Sequence, residues 1–304
     1  MEDSDLPEAI VMALRRALSS SMLHAALPHE VFATSSRQMS KTGTLPYRIR
    51  APLAKLKERK KTPQMGREAG LGDGEKLESE NTNPDYVRLA LTSRVYDMLQ
   101  ESPMQHASGL SQRLQAQIFL KREDLLPSFS YKIRGAYNML AHTRSSSGGL
   151  PKMITYSVGS QGHSMACAAA ALGVEATVVM PERTPIKRRN AIERQGAKVI
   201  IHGKGLIDAK MEALRLSENS PELTMVQPHE DPQVIAGQAT AGLEIVRQIG
   251  PLLEGIKGSK DLDAVFITAG GSSLLAGVAA VIKQITPRVK VIGVEAEGAD
   301  LLAR

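Results

Sequence analysis

The chain of 304 residues has one cysteine, no tryptophan and only 3% aromatic residues. A single cysteine excludes an intrachain disulfide framework and any multi-cysteine zinc site. So few aromatics argue against the stacking platforms that hold single-stranded nucleic acid. Long apolar runs are missing too. The longest, Leu274 to Ile282, is about half of the ~18 residues a membrane helix needs, so no membrane partner is expected. What remains is ordinary globular composition, 42% hydrophobic and 23% charged, in a chain long enough for roughly two domains.

The net charge of +6 is unevenly placed. Between Ile10 and Lys61 eleven Lys/Arg face two acids, Glu30 and Glu58, while residues 1–9 and 62–85 are acidic. A nucleic-acid reading would rest on that arm alone, and no nucleic-acid partner is expected. A second basic run, Arg183, Lys187, Arg188, Arg189, Arg194 and Lys198, reads as one solvated helix face.

Residues 1–85 lack a sustained hydrophobic period and read as a disordered basic arm. From Met12 the Arg, Ser, Ala and Leu content is that of a transit peptide, and residues 13–27 suit a basic amphipathic helix. The acidic start (Glu2, Asp3, Asp5) fits this only if translation begins at Met12 or Met22. The arm therefore points to a plastid or mitochondrion; a plain extension on a cytoplasmic protein is the alternative.

From Lys152 onward β-rich runs alternate with helical stretches. The runs are Met153–Tyr156, Ala176–Met180, Lys198–His202, Thr224–Val226, Ala264–Thr268 and Lys290–Val294. The stretches between them are 162–172, 185–195, 206–216, 232–249 and 273–285. This spacing predicts an α/β fold with parallel sheets covered by helices on both faces. Gly173 and Gly196 are helix stops, and Pro185 marks a helix start.

Three loops carry chemistry. In the first, Lys132 lies in Ser130-Tyr131-Lys132-Ile133-Arg134-Gly135-Ala136 near a helix start. The positive end of the helix dipole and Arg134 disfavour the ammonium form there. A neutral lysine can form a Schiff base with a carbonyl; the alternative is a solvated surface lysine. Glu123 and Asp124 pose as an acid pair, but neighbours on a strand face opposite sides. In the second loop, Ser157-Val158-Gly159-Ser160-Gln161 joins a strand to a helix, and its backbone N–H groups suit a carboxylate. In the third, Gly270-Gly271-Ser272-Ser273-Leu274 does the same after the strand 264–268 and suits a phosphate. It is neither a Walker A loop nor GxGxxG. One phosphate, one carboxylate and one reactive lysine together point to pyridoxal 5'-phosphate (PLP) and an amino-acid substrate.

The text from Tyr86 onward, notably YVRLALTSRVYDMLQESPMQHASGLSQRLQAQIFLKREDLLPSFSYKIRGAYNML, VVMPERTPIKRRNAIERQGAKVIIHG and DPQVIAGQATAGLEI, resembles the biosynthetic threonine deaminases, within the tryptophan-synthase-β-like PLP enzymes. The resemblance covers residues 86–304 and none of the arm. It implies PLP fold type II, with a small subdomain of residues 124–226 on a larger one built from 86–123 plus 227–304. It implies that Lys132 holds PLP through a Schiff base and, once freed, removes the substrate Cα proton. Tyr131 and Ser160 would contact the cofactor, and Gly270, Gly271, Ser272, Ser273 and Leu274 its phosphate. Ser157, Val158, Gly159 and Gln161 would bind the substrate carboxylate. The implied reaction is α,β-elimination of water from threonine, followed by hydrolysis of the enamine product to 2-oxobutanoate and ammonia, feeding isoleucine synthesis. A catabolic serine/threonine dehydratase and a non-catalytic paralogue are the alternatives. A homo-oligomer, tetrameric in the family, is implied as well.

Several residues depart from the family pattern. Tyr131 stands for Phe, Ser160 for Asn, Gln161 for His, and Ser272 and Ser273 for two glycines. Val158 stands where racemases of this fold place a serine base, and it cannot carry a proton, which disfavours racemisation. A related cation site would use Glu295 and the Ala299 carbonyl, but its aspartate position is Leu301, so no metal is expected. Cys167, inside a helical stretch, reads as a small buried residue rather than a cofactor ligand. Family catalytic domains continue well past the position of Arg304, so the larger subdomain is expected to be incomplete at its C-terminal side.

Overall fold

The computed structural model describes residues 84–146, 150–254, 256, 261–296, 298–299 and 302. Residues 1–83, and with them nearly all of the expected basic arm and the targeting signal expected in it, lie outside the described residues.

Helix α1 (Tyr86–Leu91) starts where Asp85 accepts a hydrogen bond from the Arg88 N–H. A short antiparallel ribbon, β1 (Met104–His106) and β2 (Phe119–Lys121), brackets α2 (Ser108–Leu114). Helix α3 (Lys132–Ser146) then leads into the alternating region. Strands β3 (Lys152–Tyr156), β4 (Glu175–Met180), β5 (Lys198–Ile201) and β6 (Leu223–Met225) form a parallel sheet in the order β5-β4-β3-β6. Their connections are α4 (Ser160–Leu172), α5 (Ile186–Glu193) and α6 (Leu206–Glu218). Helix α7 (Pro232–Leu253) crosses to β7 (Ala264–Thr268), α8 (Ser273–Ile285) and β8 (Lys290–Val294); β7 and β8 pair in parallel. The expected α/β class and its parallel pairing are thus present.

The strand residues sort by period two onto opposite faces. Met153, Val178 and Met180 pack with α3 and α4. Ile154, Tyr156 and Val179 pack instead against Ala209 and Ala213 of α6. Both faces are dry, which is why these strands read as apolar runs rather than alternating ones. A second core joins Ala241 and Ile245 of α7 to Val278 and Ile282 of α8 and to Ile267 of β7. The helix stops work as expected: Gly173 and Gly196 sit at φ of 66° and 84°.

Helices α3 and α7 cross with their backbones nearly touching. A Cβ on Gly237 would lie 2.5 Å from the Arg134 carbonyl oxygen and 2.7 Å from the Gly135 Cα. Neither obstacle can rotate away, because both belong to the backbone. Gly237→Ala is expected to destabilise the fold by about 1–3 kcal/mol, even though alanine is favoured over glycine in a helix by about 1 kcal/mol. A urea unfolding midpoint at or above that of the parent chain would contradict this crossing.

Strand order reverses at β3. The chain runs outward from it through β4 and β5, then returns to its other side as β6. In sheets of this kind ligands bind beyond the carboxyl ends of the strands at that reversal. Here those ends are tied together: Val226 N–H donates to the Ile154 carbonyl (2.8 Å), and Thr155 Oγ1 donates to the Val226 carbonyl (3.0 Å).

Candidate active site

Lys132 is the first residue of α3 and is partly buried. Its Nζ lies 4.3 Å from the centroid of the Tyr131 ring, a cation–π distance that holds the amine over an aromatic face. The segment before it is stiffly held. Phe129 has φ of 57°, a left-handed conformation that is strained for a bulky residue. Ser128 Oγ lies 2.9 Å from Ser164 Oγ of α4, which joins the lysine loop to the helix of the carboxylate loop.

Arg134 does not act on the lysine as the sequence suggested. Its guanidinium is fully buried and is gripped by Glu123 (2.8 Å) and by Glu244 of α7 (2.6 Å). Burial alone would lower its pKa, but these two carboxylates outweigh it and hold the value above its ordinary one. Glu123 and Asp124 lie in a short 3-10 turn rather than a strand. Asp124 pairs with Arg122 (2.7 Å), so neither acid faces the lysine as a free carboxylate.

The carboxylate loop runs from the end of β3 into α4. Ser157 is buried, and its Oγ accepts from the N–H groups of Gly159 and Gly162, both at 2.9 Å. The hydroxyl thus shapes the turn from within and engages two of the donors an incoming anion could use. Ser160 and Gln161 open the first turn of α4, where N–H groups have no partner inside the helix. The Gln161 Nε2 is buried without a hydrogen-bond partner among the described residues. Val158 is exposed, and its carbonyl accepts from Arg188 Nη1 at 2.8 Å. Arg188 belongs to the basic run read as a solvated face; it is exposed, and its guanidinium also reaches this loop.

The glycine turn lies between β7 and α8. Space beside Gly270 is open, whereas a Cβ on Gly271 would collide with the ring of His229. Ser272 holds φ of 65° with no side-chain cap bond to the helix, and Ser273 is buried. The left-handed residue is where the family has glycine. Ser272→Gly is accordingly expected to stabilise the protein by about 1 kcal/mol, read as a raised thermal midpoint.

The His229 ring, beyond β6, lies against Gly271 of the glycine turn and feels the charge of Lys132, while the Ser128–Ser164 contact joins the lysine loop to the helix that the 157–161 loop opens. Residues 95–304 match the family described as pyridoxal-phosphate dependent enzyme. The chain belongs to the pyridoxal-phosphate dependent enzyme family. It is 42% identical over 228 residues to the mitochondrial threonine dehydratase of Saccharomyces cerevisiae and 41% over 221 residues to the chloroplastic biosynthetic threonine dehydratase of Arabidopsis thaliana. These alignments take in 75% and 72% of this chain but 38% and 35% of the relatives, so the chain spans well under half the length of either. The fold superposes on the processed form of threonine deaminase isoform 2 from Solanum lycopersicum with a TM-score of 0.64 and 42% identity, covering 71% of this chain and 56% of that one.

For this family member the residues present suit the cofactor. An amine sits at the start of α3, the glycine turn opens at the start of α8, and the orphaned Gln161 amide leaves a donor for a ligand group. Cys167 lies in α4 among Val95, Leu99, Leu126 and Ile133, and burial pushes its thiol up. It is a packing residue, as its place in the sequence implied. Glu295 accepts a hydrogen bond from the Leu302 N–H at 3.0 Å, and among the described residues no cluster of three His, Cys, Asp or Glu could hold a metal. Among those residues, too, no helix is long and apolar enough to cross a membrane.

Proposed function

We propose that the protein deaminates L-threonine to 2-oxobutanoate and ammonia, as a threonine dehydratase supplying isoleucine synthesis. The observation that supports this reading is that the His229 ring packs on Gly271 of the turn 270–274 and lies within reach of the Lys132 charge, with Ser128 joining the lysine loop to the helix opened by 157–161. Similarity to threonine dehydratases supports threonine as the substrate. Bound PLP supplies an electron sink for the carbanion that forms at Cα. The remaining work falls to this chain's residues. Lys132 Nζ links the cofactor and, when released, takes the Cα proton. The first-turn N–H groups of Ser160 and Gln161, with the Gln161 amide, receive the substrate carboxylate. Tyr131 keeps the amine oriented. Val158, which has no proton to give or accept, leaves the opposite face without a second base. The site lies between a lobe of residues 124–226 and one of 86–123 plus 227–304. The basic arm directs the chain to a mitochondrion or plastid.

The test is direct. The full chain, saturated with PLP, is incubated with L-threonine and L-serine, and the 2-oxo acid is measured as its phenylhydrazone. Threonine is expected to be consumed with the higher kcat/KM. A preference for serine would point to a catabolic dehydratase. Absence of any borohydride-trappable cofactor on Lys132 would remove the reading altogether.

A further inference from the structure

The residue at this site with no role so far is His229. It lies beyond the end of β6, at the reversal of strand order, between Pro228 and the Asp231 cap of α7. Asp231 Oδ1 accepts from the N–H groups of Gln233 (2.7 Å) and Val234 (3.2 Å), so the backbone just after His229 is pinned. The ring lies across Gly271: its Nδ1, Cε1 and Cγ are the three atoms nearest to where a Gly271 Cβ would stand. The absence of a side chain at 271 is therefore what admits the imidazole to the turn.

Three facts say that the ring does more than fill space. Neither ring nitrogen makes a hydrogen bond among the described residues, although the side chain is partly buried. The turn and the first residues after it, Ala269 to Ala276, contain no Lys or Arg to meet an anionic ligand. Burial, and then the charge of Lys132, push the imidazole below its ordinary pKa; Glu230 opposes this and Lys210 of α6 adds to it. Near pH 7 the ring is neutral, with one donor and one acceptor, and an anion seated against it would favour its protonated form.

We propose that His229 is a ligand of the cofactor phosphate, supplying from the β6–α7 loop the side-chain donor that the 270–274 turn lacks. This rests on the reading that PLP is held on Lys132 with its phosphate in that turn. The phosphate then meets the free N–H groups at the start of α8 on one side and the imidazole on the other.

The experiment compares PLP with pyridoxal, which has the same aldehyde and no phosphate. Affinities of the full-length apoprotein are read from the absorbance of the Lys132 adduct. His229→Phe keeps a ring and removes both nitrogens; it is expected to weaken PLP binding about 10- to 100-fold and leave pyridoxal binding unchanged. His229→Gln, which keeps a donor, is expected to stay within about threefold of the parent for PLP, since one neutral donor replaces another. Inorganic phosphate should compete with PLP less well in the Phe variant. Should that variant not fold, His229→Leu is read in its place. Unchanged PLP affinity in the Phe or Leu variant, or an equal loss for PLP and pyridoxal, would overturn the role. A Gln variant as weak as the Phe variant would overturn it too, by showing that the shape of the ring is what matters. If the parent chain itself traps no PLP on Lys132, the underlying reading fails and this one falls with it.

Discussion

Lys132→Ala is expected to give a protein that borohydride cannot label with cofactor and that turns over threonine about 10²–10⁴-fold more slowly, if at all. The expectation follows from position rather than from residue type alone. The described chain holds many lysines, but Lys132 is the one at the start of α3, over Tyr131, whose charge is felt by a histidine packed on the glycine turn. Removing the amine removes both the covalent link and the base, so adding more PLP should restore neither function. Lys132→Arg should be as inert, because a guanidinium does not act as a nucleophile at neutral pH. The change should leave stability nearly untouched, since Lys132 is only partly buried and its amine makes no ion pair among the described residues. Loss of labelling together with a normal unfolding midpoint is the expected pair of results. A Lys132→Ala protein that still forms the borohydride-stable adduct would place the reactive amine elsewhere.

The strand–helix alternation was legible because each strand from β3 to β8 is a short apolar run. Their bounds in the structure agree with the sequence reading to within one residue, and those of β7 and β8 coincide with it. Before Lys152 the signal failed. The ribbon β1–β2 and the helix α2 are too short for any hydrophobic period to emerge, and α3 was seen only as the region after the lysine motif. At the site, the lysine and the two small-residue turns were readable because the chemistry they suit needs those residue types in sequence order. Arg188 and His229 were not. Arg188 reaches the loop at 157–161 from 30 residues away, and a run of basic residues looks the same whether or not one of them bonds a neighbouring loop from the surface. His229 sits in a Pro-bounded loop and gains meaning only when β6 is placed beside β3 and α8 is brought up behind it. The sheet order carries that information. The one usable hint was a histidine just beyond the end of a strand.

The ion cluster under α3 was invisible for the same reason, and it sets the second large effect. Glu244 was an unremarked residue in the amphipathic stretch 232–249. In the fold it is fully buried and binds Arg134 with both oxygens (2.6 and 2.9 Å), Lys121 (2.5 Å) and the Tyr96 hydroxyl (2.8 Å). Arg134 also donates to Glu123 (2.8 Å), Thr240 Oγ1 (3.0 Å) and Ser102 Oγ (3.2 Å). Burial works to raise the Glu244 pKa, but the hydrogen bonds and charges of Arg134 and then Lys121 win and hold it below the ordinary carboxylate value. Burial, chiefly, lowers Lys121, and burial with the Glu244 charge pushes Tyr96 up to about 12. Glu244→Ala leaves the buried Arg134 guanidinium with Glu123 as its one carboxylate partner among the described residues, beside the Thr240 and Ser102 hydroxyls. Breaking a buried pair in this way costs about 3–5 kcal/mol, which is a large part of the stability of an ordinary domain. Glu244→Gln, which keeps the shape and some acceptors, should cost less. The sign of the pH effect follows from the depressed pKa. Stability from Glu244 is fully present above the unfolded-state value near 4.5 and is lost as pH falls through the lower folded value. The parent should therefore lose urea resistance between neutral pH and pH 4 or below more steeply than Glu244→Gln, which has no proton to gain. Because Arg134 lies two residues after Lys132 on the first turn of α3, loosening this cluster should also release the start of that helix. Cofactor labelling of Lys132 at subsaturating PLP is expected to fall in Glu244→Ala before global unfolding sets in, and parallel loss of the two would show that the cluster supports the fold alone.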